Sequence, residues 1–118
     1  IKEIRIRPQQ TSAYAKLHQK ASHFAIVGIA VSLDMHSGVC RKARIAATGL
    51  STHAQRLKRA EEELAGQRIE EALIQSAAEL APDEVKEVNE DIHASEEYRR
   101  AMTKVFNARA IRKAVARA

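Results

Sequence analysis

Ala25-Ile26-Val27-Gly28-Ile29-Ala30-Val31-Ser32-Leu33, followed by Asp34-Met35-His36-Ser37-Gly38 and then by residues 39–47, decides the fold of this chain. The first nine residues are almost all apolar and rich in β-branched side chains, the composition of a central strand buried on both faces. Gly28 inside that run predicts close approach by another backbone or side chain. Residues 34–38 supply turn chemistry, with Gly38 able to take a positive φ. Residues 39–47 then return as an antiparallel partner, Lys42 and Arg44 pointing one way and Ala43 and Ile45 the other.

On the N-terminal side, residues 12–17 alternate too, with Ala13, Ala15 and Leu17 on one face and Ser12, Tyr14 and Lys16 on the other. They predict another strand. Glu3-Ile4-Arg5-Ile6-Arg7 has the same period and predicts one more, which Pro8 ends or places at a sheet edge. Residues 19–24 read equally as a single helical turn or a bulged connection.

On the C-terminal side the period changes. Residues 48–52 form a loop in which Ser51 or Thr52 offers a helix cap. Leu57, Ala60 and Leu64 recur at helical spacing before Gly66, a natural helix stop. A second helix is expected over residues 69–80, with Leu73, Ala77 and Leu80 on its stripe and Pro82 closing it. Residues 83–91 are acidic and read as a solvated connection. A third helix starts at Ser95, with Glu96 and Glu97 opposing the positive end of its dipole and Arg109, Arg112, Lys113 and Arg117 toward the negative end. Tyr98, Ala101, Met102, Val105, Ala108 and Val115 form its expected buried face, and Glu96 is spaced to pair with Arg100. Strands followed by helices predict an α+β domain: a small antiparallel sheet of three to four strands with a three-helix cluster on one side. Residues 1–118 are read as a single domain.

Composition narrows the function classes. With two Tyr, two Phe and no Trp, the core must come from Ile, Leu, Val and Ala. No run approaches the roughly 20 apolar residues that span a bilayer. Ile1 opens without a signal peptide, as expected of a domain excised from a longer chain or a trimmed product. The single cysteine, Cys40, excludes an internal disulfide and is expected to be a small buried hydrophobe; with no secretion signal, it points to a reducing cytoplasm.

The net charge of +5 conceals strong segregation: +9 over residues 1–59, −11 over residues 60–97 and +7 over residues 98–118. Pairing of the basic blocks with the acidic one, inside the molecule or between subunits, is the expected explanation. The alternative is a free-standing basic module binding nucleic acid through residues 1–59. Its strand faces lack the interleaved aromatics that stack bases.

Catalytic patterns are missing. Gly28, Gly38, Gly49 and Gly66 are too far apart for a phosphate-cradling loop. His18, His23, His36, His53 and His93 form no metal-spaced pair, and no serine sits in a glycine-flanked elbow. Glu61-Glu62-Glu63 reads as a solvated helix face beside Lys58 and Arg59.

Five pieces in order resemble one family. They are Ser12-Ala13-Tyr14 with Lys16; Phe24-Ala25-Ile26-Val27-Gly28-Ile29-Ala30; Gly49, Arg56, Ala60-Glu61, Leu64 and Gly66; Ser95-Glu96-Glu97-Tyr98-Arg99-Arg100; and Arg109-Ala110 with Arg112-Lys113-Ala114. Together they resemble the C-terminal domain of the flavin-carrying medium subunit of molybdenum hydroxylases, the carbon monoxide dehydrogenase and xanthine dehydrogenase family. Ala54 departs from it, since the family usually has proline there, and so does the acidic linker before Ser95.

The resemblance implies FAD in the full-length subunit, bound mostly by upstream domains, and a molybdenum cofactor and 2Fe-2S clusters on partner subunits. Electrons would pass from molybdenum through the clusters to the flavin. This domain, with no catalytic or metal-ligating residue and no cofactor held alone, would help close the flavin site and pack the subunits. Tyr14 and Lys16 are the residues it implies for flavin contact, unless they only pack on the neighbouring domain. Nucleic acid and membrane are not among the expected partners.

Overall fold

The computed structural model describes residues 1–7, 11–20, 22, 24–90 and 94–118. Three long strands form an antiparallel meander: β1 (Ser12–His18), β2 (Ala25–His36) and β3 (Val39–Thr48). Two short strands, β4 (Gln55–Arg56) and β5 (Gln67–Arg68), pair with the outer side of β3. Three helices, α1 (Lys58–Leu64), α2 (Glu71–Glu84) and α3 (Glu96–Val115), complete the chain. Helix α3 crosses β1 and β2, α1 lies on β3, and α2 packs on both helices. The architecture is the expected α+β one.

The core follows the period-two pattern of the hairpin. Val27, Ile29, Val31 and Leu33 of β2 and Ala43, Ile45 and Ala47 of β3 are buried against Leu57, Leu64 and Ile111 from the helices. Fully buried Ala60, Ala77, Ala78, Ala81, Ala110 and Ala114 let the helices approach closely. Cys40 is buried among them, and burial pushes its thiol pKa up.

The hairpin is tighter than expected. β2 continues through His36, and Ser37 and Gly38 alone make the turn, with φ of 51° and 80°. Two successive positive φ values match the right-handed twist of the flanking strands. The register shifts between Asp34 and Met35, which pair with Lys42 and Cys40, so Arg41 is the extra residue of a bulge. At the other end, the Gln19 N–H donates to the Phe24 carbonyl at 2.9 Å and the register shifts after Leu17. The β1–β2 pairing is therefore bulged where it enters the connection; Ala21 and His23 lie outside the described residues.

Several expectations are corrected. Residues 1–7 form no strand, and Ile1, Ile4 and Ile6 are exposed. Alternation makes a strand only where a neighbour supplies hydrogen bonds, and no described strand lies alongside. Pro8 lies outside the described residues. Ser51 and Thr52 do not cap α1, because β4 intervenes. The carboxylate of Glu84, at the end of α2, instead accepts from the Arg59 and Ala60 N–H groups at 2.6 and 3.1 Å. Pro82 does not close α2, which runs two residues further. The Arg100 Nη1 donates to the carbonyls of Pro82 (2.5 Å) and Val85 (2.9 Å), satisfying that helix end.

The stretch after α2 is anchored, not simply solvated. Val85 is buried, the Asn89 N–H donates to the Leu50 carbonyl, and Gln55 exchanges two bonds with the Lys86 backbone. Asp91 lies outside the described residues.

Helix α3 begins as expected, with Ser95 Oγ accepting the Tyr98 N–H at 3.1 Å and Glu96 pairing with Arg100 at 3.0 Å. Its buried face is the expected one in part: Ala108 is buried, and Met102, Val105 and Val115 pack against the core. Tyr98 is 45% exposed and Ala101 is exposed, whereas Arg99, Thr103, Phe106, Asn107, Ala110, Ile111 and Ala114 are buried. The helix is wedged between sheet and α2, and polar groups enter that wedge by bonding backbone. Arg99 donates to the Ile26 and Gly49 carbonyls at 3.0 and 3.1 Å, and Thr103 to the Arg99 carbonyl at 2.7 Å. Near its end, Lys113 donates to the Tyr14 carbonyl at 3.2 Å and Arg117 to the Ser12 carbonyl at 2.6 Å, along the outer edge of β1.

Candidate functional site: the open face of the sheet

The helices cover one face of the sheet and leave the other open. β2, expected to be buried on both faces, is buried on one: Ala30 is exposed, and Ser32 is half-buried. Its open-face positions are small, so they leave a shallow floor where large side chains would have demanded a second layer.

The register lays out that floor. One row runs Tyr14, Ala30, Ala46 and Arg56 across β1 to β4. A second runs Lys16, Gly28 and Thr48, and a third Ser12, Ser32 and Arg44. Asp34 faces Lys42 beyond it. Tyr14 and Lys16 thus lie two residues apart on the same open face, as the period-two reading requires.

Gly28 has the close neighbour expected of it. A Cβ there would lie 2.2 Å from the Tyr14 hydroxyl oxygen and 2.9 Å from the Thr48 methyl. The missing side chain is what lets the Tyr14 ring lean over the floor; the ring is 43% exposed.

The far side of the face is organised by a residue that sequence reasoning treated as solvated. Glu61 is only 8% exposed. Its carboxylate accepts from the Ile45 N–H at 2.8 Å and from Arg56 Nε and Nη2 at 2.5 and 2.9 Å. It thereby completes the edge of β3 where the two-residue β4 ends. Burial alone would raise the Glu61 pKa, but Arg56 and the Ile45 amide together hold it below the ordinary carboxylate value. The same bond raises the pKa of Arg56. Arg56 and Glu61 both stand in the residues that carry the family resemblance; only the five-residue offset, which is not a helical pairing distance, concealed their contact.

Some of the segregated charge is paired within the molecule: Arg56 with Glu61 and Arg100 with Glu96 join a basic block to the acidic one. Arg112 bonds Glu71 and Lys104 approaches Glu79 at 3.8 Å, whereas the Arg41–Asp34 contact at 3.4 Å lies within the basic block. Glu71 is held below its usual range by the Arg112 guanidinium. Among the described residues no group of three or more His, Cys, Asp or Glu side chains is placed to hold a metal ion. No described helix is long and apolar enough to cross a membrane.

Comparison with known proteins agrees with this architecture. Residues 12–114 match the family described as CO dehydrogenase flavoprotein C-terminal domain. Comparison with curated protein sequences finds no match. Among solved structures, quinoline 2-oxidoreductase from Pseudomonas putida 86 is 32% identical with a TM-score of 0.83, over 92% of this chain and 38% of that one. Carbon monoxide dehydrogenase from Hydrogenophaga pseudoflava, in a form lacking the Mo-pyranopterin moiety of its molybdenum cofactor, is 31% identical with a TM-score of 0.83, over 91% and 38%. Reconstituted CO dehydrogenase from Oligotropha carboxidovorans is 30% identical with a TM-score of 0.83, over 94% and 39%. The chain therefore spans well under half the length of the proteins it matches. With the family matched over nearly the whole chain and the fold shared at about this identity, the protein belongs to the CO dehydrogenase flavoprotein C-terminal domain family.

Proposed function

We propose that this chain is the C-terminal domain of the FAD-containing medium subunit of a molybdenum hydroxylase, of the carbon monoxide, aldehyde or xanthine dehydrogenase type. The observation that carries the reading is the open sheet face. An aromatic ring leans over a glycine, beside a floor of small side chains with cations at its margin. Those residues fit one side of a flat, phosphate-bearing cofactor. FAD, when bound, passes electrons from iron-sulfur clusters on to an acceptor. The chain's own residues close the site: Tyr14 covers the floor and excludes water, and Lys16 offers a charged donor to a polar part of the ligand. Upstream domains of the same subunit supply the phosphate loops that four scattered glycines cannot. The molybdenum and iron-sulfur centres belong to partner subunits in a reducing, cytoplasmic setting.

The test uses the chain alone and the chain restored behind its flavin domains. Alone, it is expected to bind no FAD tightly. In the restored subunit, Tyr14→Ala and Lys16→Ala are expected to change the flavin absorption band and weaken FAD retention. If both variants melt lower yet leave the flavin spectrum and retention unchanged, the two side chains only pack on the neighbouring domain. Tight FAD capture by the isolated chain would overturn the reading altogether. Binding of oligonucleotides that weakens steeply with salt would support the nucleic-acid alternative instead.

A further inference from the structure

Phe24, in the connection between β1 and β2, is 77% exposed, against 43% for Tyr14 and 45% for Tyr98. The backbone that presents this ring is braced. Gln19 Oε1 accepts from the Ser22 N–H at 2.7 Å and from Ser22 Oγ at 3.0 Å. Ser22 Oγ accepts in turn from the Phe24 N–H at 3.3 Å, while the Phe24 carbonyl accepts from the Gln19 N–H at 2.9 Å. Behind the ring, the Arg99 guanidinium ties the Ile26 carbonyl to the Gly49 carbonyl from a side chain only 4% exposed. Gly49, at a φ of 80°, is pressed against the same backbone: a Cβ there would lie 2.5 Å from the Ala25 carbonyl oxygen. Phe24 forms one wall of a cavity of about 190 Å³, shared with Gln19, Gly49, Asn89 and Arg99.

An aromatic ring left in water on a backbone held this firmly is preorganised for burial against a protein surface, since little ordering remains to be done on contact. Apolar rings beside polar margins are the anchors of such interfaces. The occupant follows from length and position. The solved relatives share 38 or 39% of their length with this chain, and the shared part is a C-terminal domain. The polypeptide available to cover Phe24 is therefore the preceding part of the same subunit. Phe24 also adjoins the face that the proposed function turns toward that neighbour. Lys16 pairs with Gly28 and His18 with Ala25, so the ring stands just beyond the Tyr14–Lys16 row. We propose that Phe24 is the anchor by which this domain docks on the preceding domains of its own subunit, its ring buried in an apolar hollow of that neighbour. The inference rests on the proposed function for the neighbour and places no cofactor at the ring.

The test uses the chain alone and the chain restored behind its flavin domains. In one variant of the restored subunit the photo-crosslinking residue benzoylphenylalanine replaces Phe24. Illumination is expected to join position 24 to a segment of the preceding domains, located by mass spectrometry of the digest. Phe24→Ser is expected to lower the Tm of the restored subunit by roughly 4 °C or more. The same substitution should lower the Tm of the chain alone by less than about 2 °C. Phe24→Leu, which keeps an apolar side chain, should recover most of the difference. A cross-link to the flavin, to another subunit or to a second copy would overturn the proposal. So would the absence of any cross-link, or an equal fall in both melts. If Phe24→Ser does not fold, the cross-link and Phe24→Leu carry the test. FAD retention is read separately. A restored subunit that holds FAD without the expected cross-link rejects the docking anchor alone, whereas one that cross-links as expected but holds no FAD rejects the flavin reading alone.

Discussion

Glu61 makes three bonds at the edge of the sheet, and their sizes can be separated. In Glu61→Ala the Ile45 N–H loses its acceptor at a site where Ile45 is fully buried. An orphaned buried donor costs about 1–3 kcal/mol. Loss of the packed Glu61 side-chain methylenes adds about 1 kcal/mol. The ion pair adds less, because the Arg56 side chain is 48% exposed and exposed pairs are worth about 0.2–1 kcal/mol after solvent screening. The expected total is about 3 kcal/mol, a fall in Tm of roughly 12 °C for a domain of this size. Glu61→Gln keeps the acceptor and the packing and removes only the charge, so about 1 kcal/mol and roughly 4 °C are expected. Thermal melts of the three proteins by circular dichroism decide the matter. Equal losses for Ala and Gln would mean that the charge, not the backbone acceptor, dominates, and the reasoning would be refuted.

Three further outcomes are expected. Tyr98→Ala should shift stability by less than about 1 kcal/mol, since the ring is 45% exposed; a loss near the roughly 3 kcal/mol of a buried aromatic would contradict that placement. Arg100→Gln removes the donor to Pro82 and Val85 at the end of α2, and a loss of about 2 kcal/mol in urea unfolding is expected. The depressed Glu61 pKa gives a signed pH effect. Its contribution is complete above the unfolded carboxylate value of roughly 4.3 and is lost as pH falls through the lower folded value. Glu61→Gln should therefore flatten the acid limb of stability, and a wild-type-minus-variant difference that stays constant through that window would count against the assignment.

The hairpin was legible because its information is local: β-branched residues, alternation and a Ser37-Gly38 turn lie within one continuous stretch. The start of α3 was legible for the same reason, since Ser95 and Glu96 act within a single turn. What failed depended on distant partners. Residues 1–7 carry a strand pattern but pair with no described strand. Glu84 caps α1 from 25 residues away, and no local rule locates such a cap. The buried face of α3 was legible only in part, at Met102, Val105, Ala108 and Val115, because Arg99, Thr103 and Asn107 are polar by composition. They enter the interior only because backbone carbonyls of β2, α2 and their own helix await them there. In the candidate site, Tyr14 and Lys16 emerged from alternation and resemblance, whereas Arg56 and Glu61 required the third dimension.

The reach of Lys113 and Arg117 to the rim of β1 governs how this molecule treats its own copies. Their cationic tips occupy the main-chain acceptors that a foreign strand would otherwise use to extend the sheet. A chain clipped ahead of Lys113 would present a bare ribbon beside the Tyr14 platform, inviting end-to-end stacking of molecules. The end of α3 thus guards one rim of a half-covered sheet while the sheet's other surface stays available.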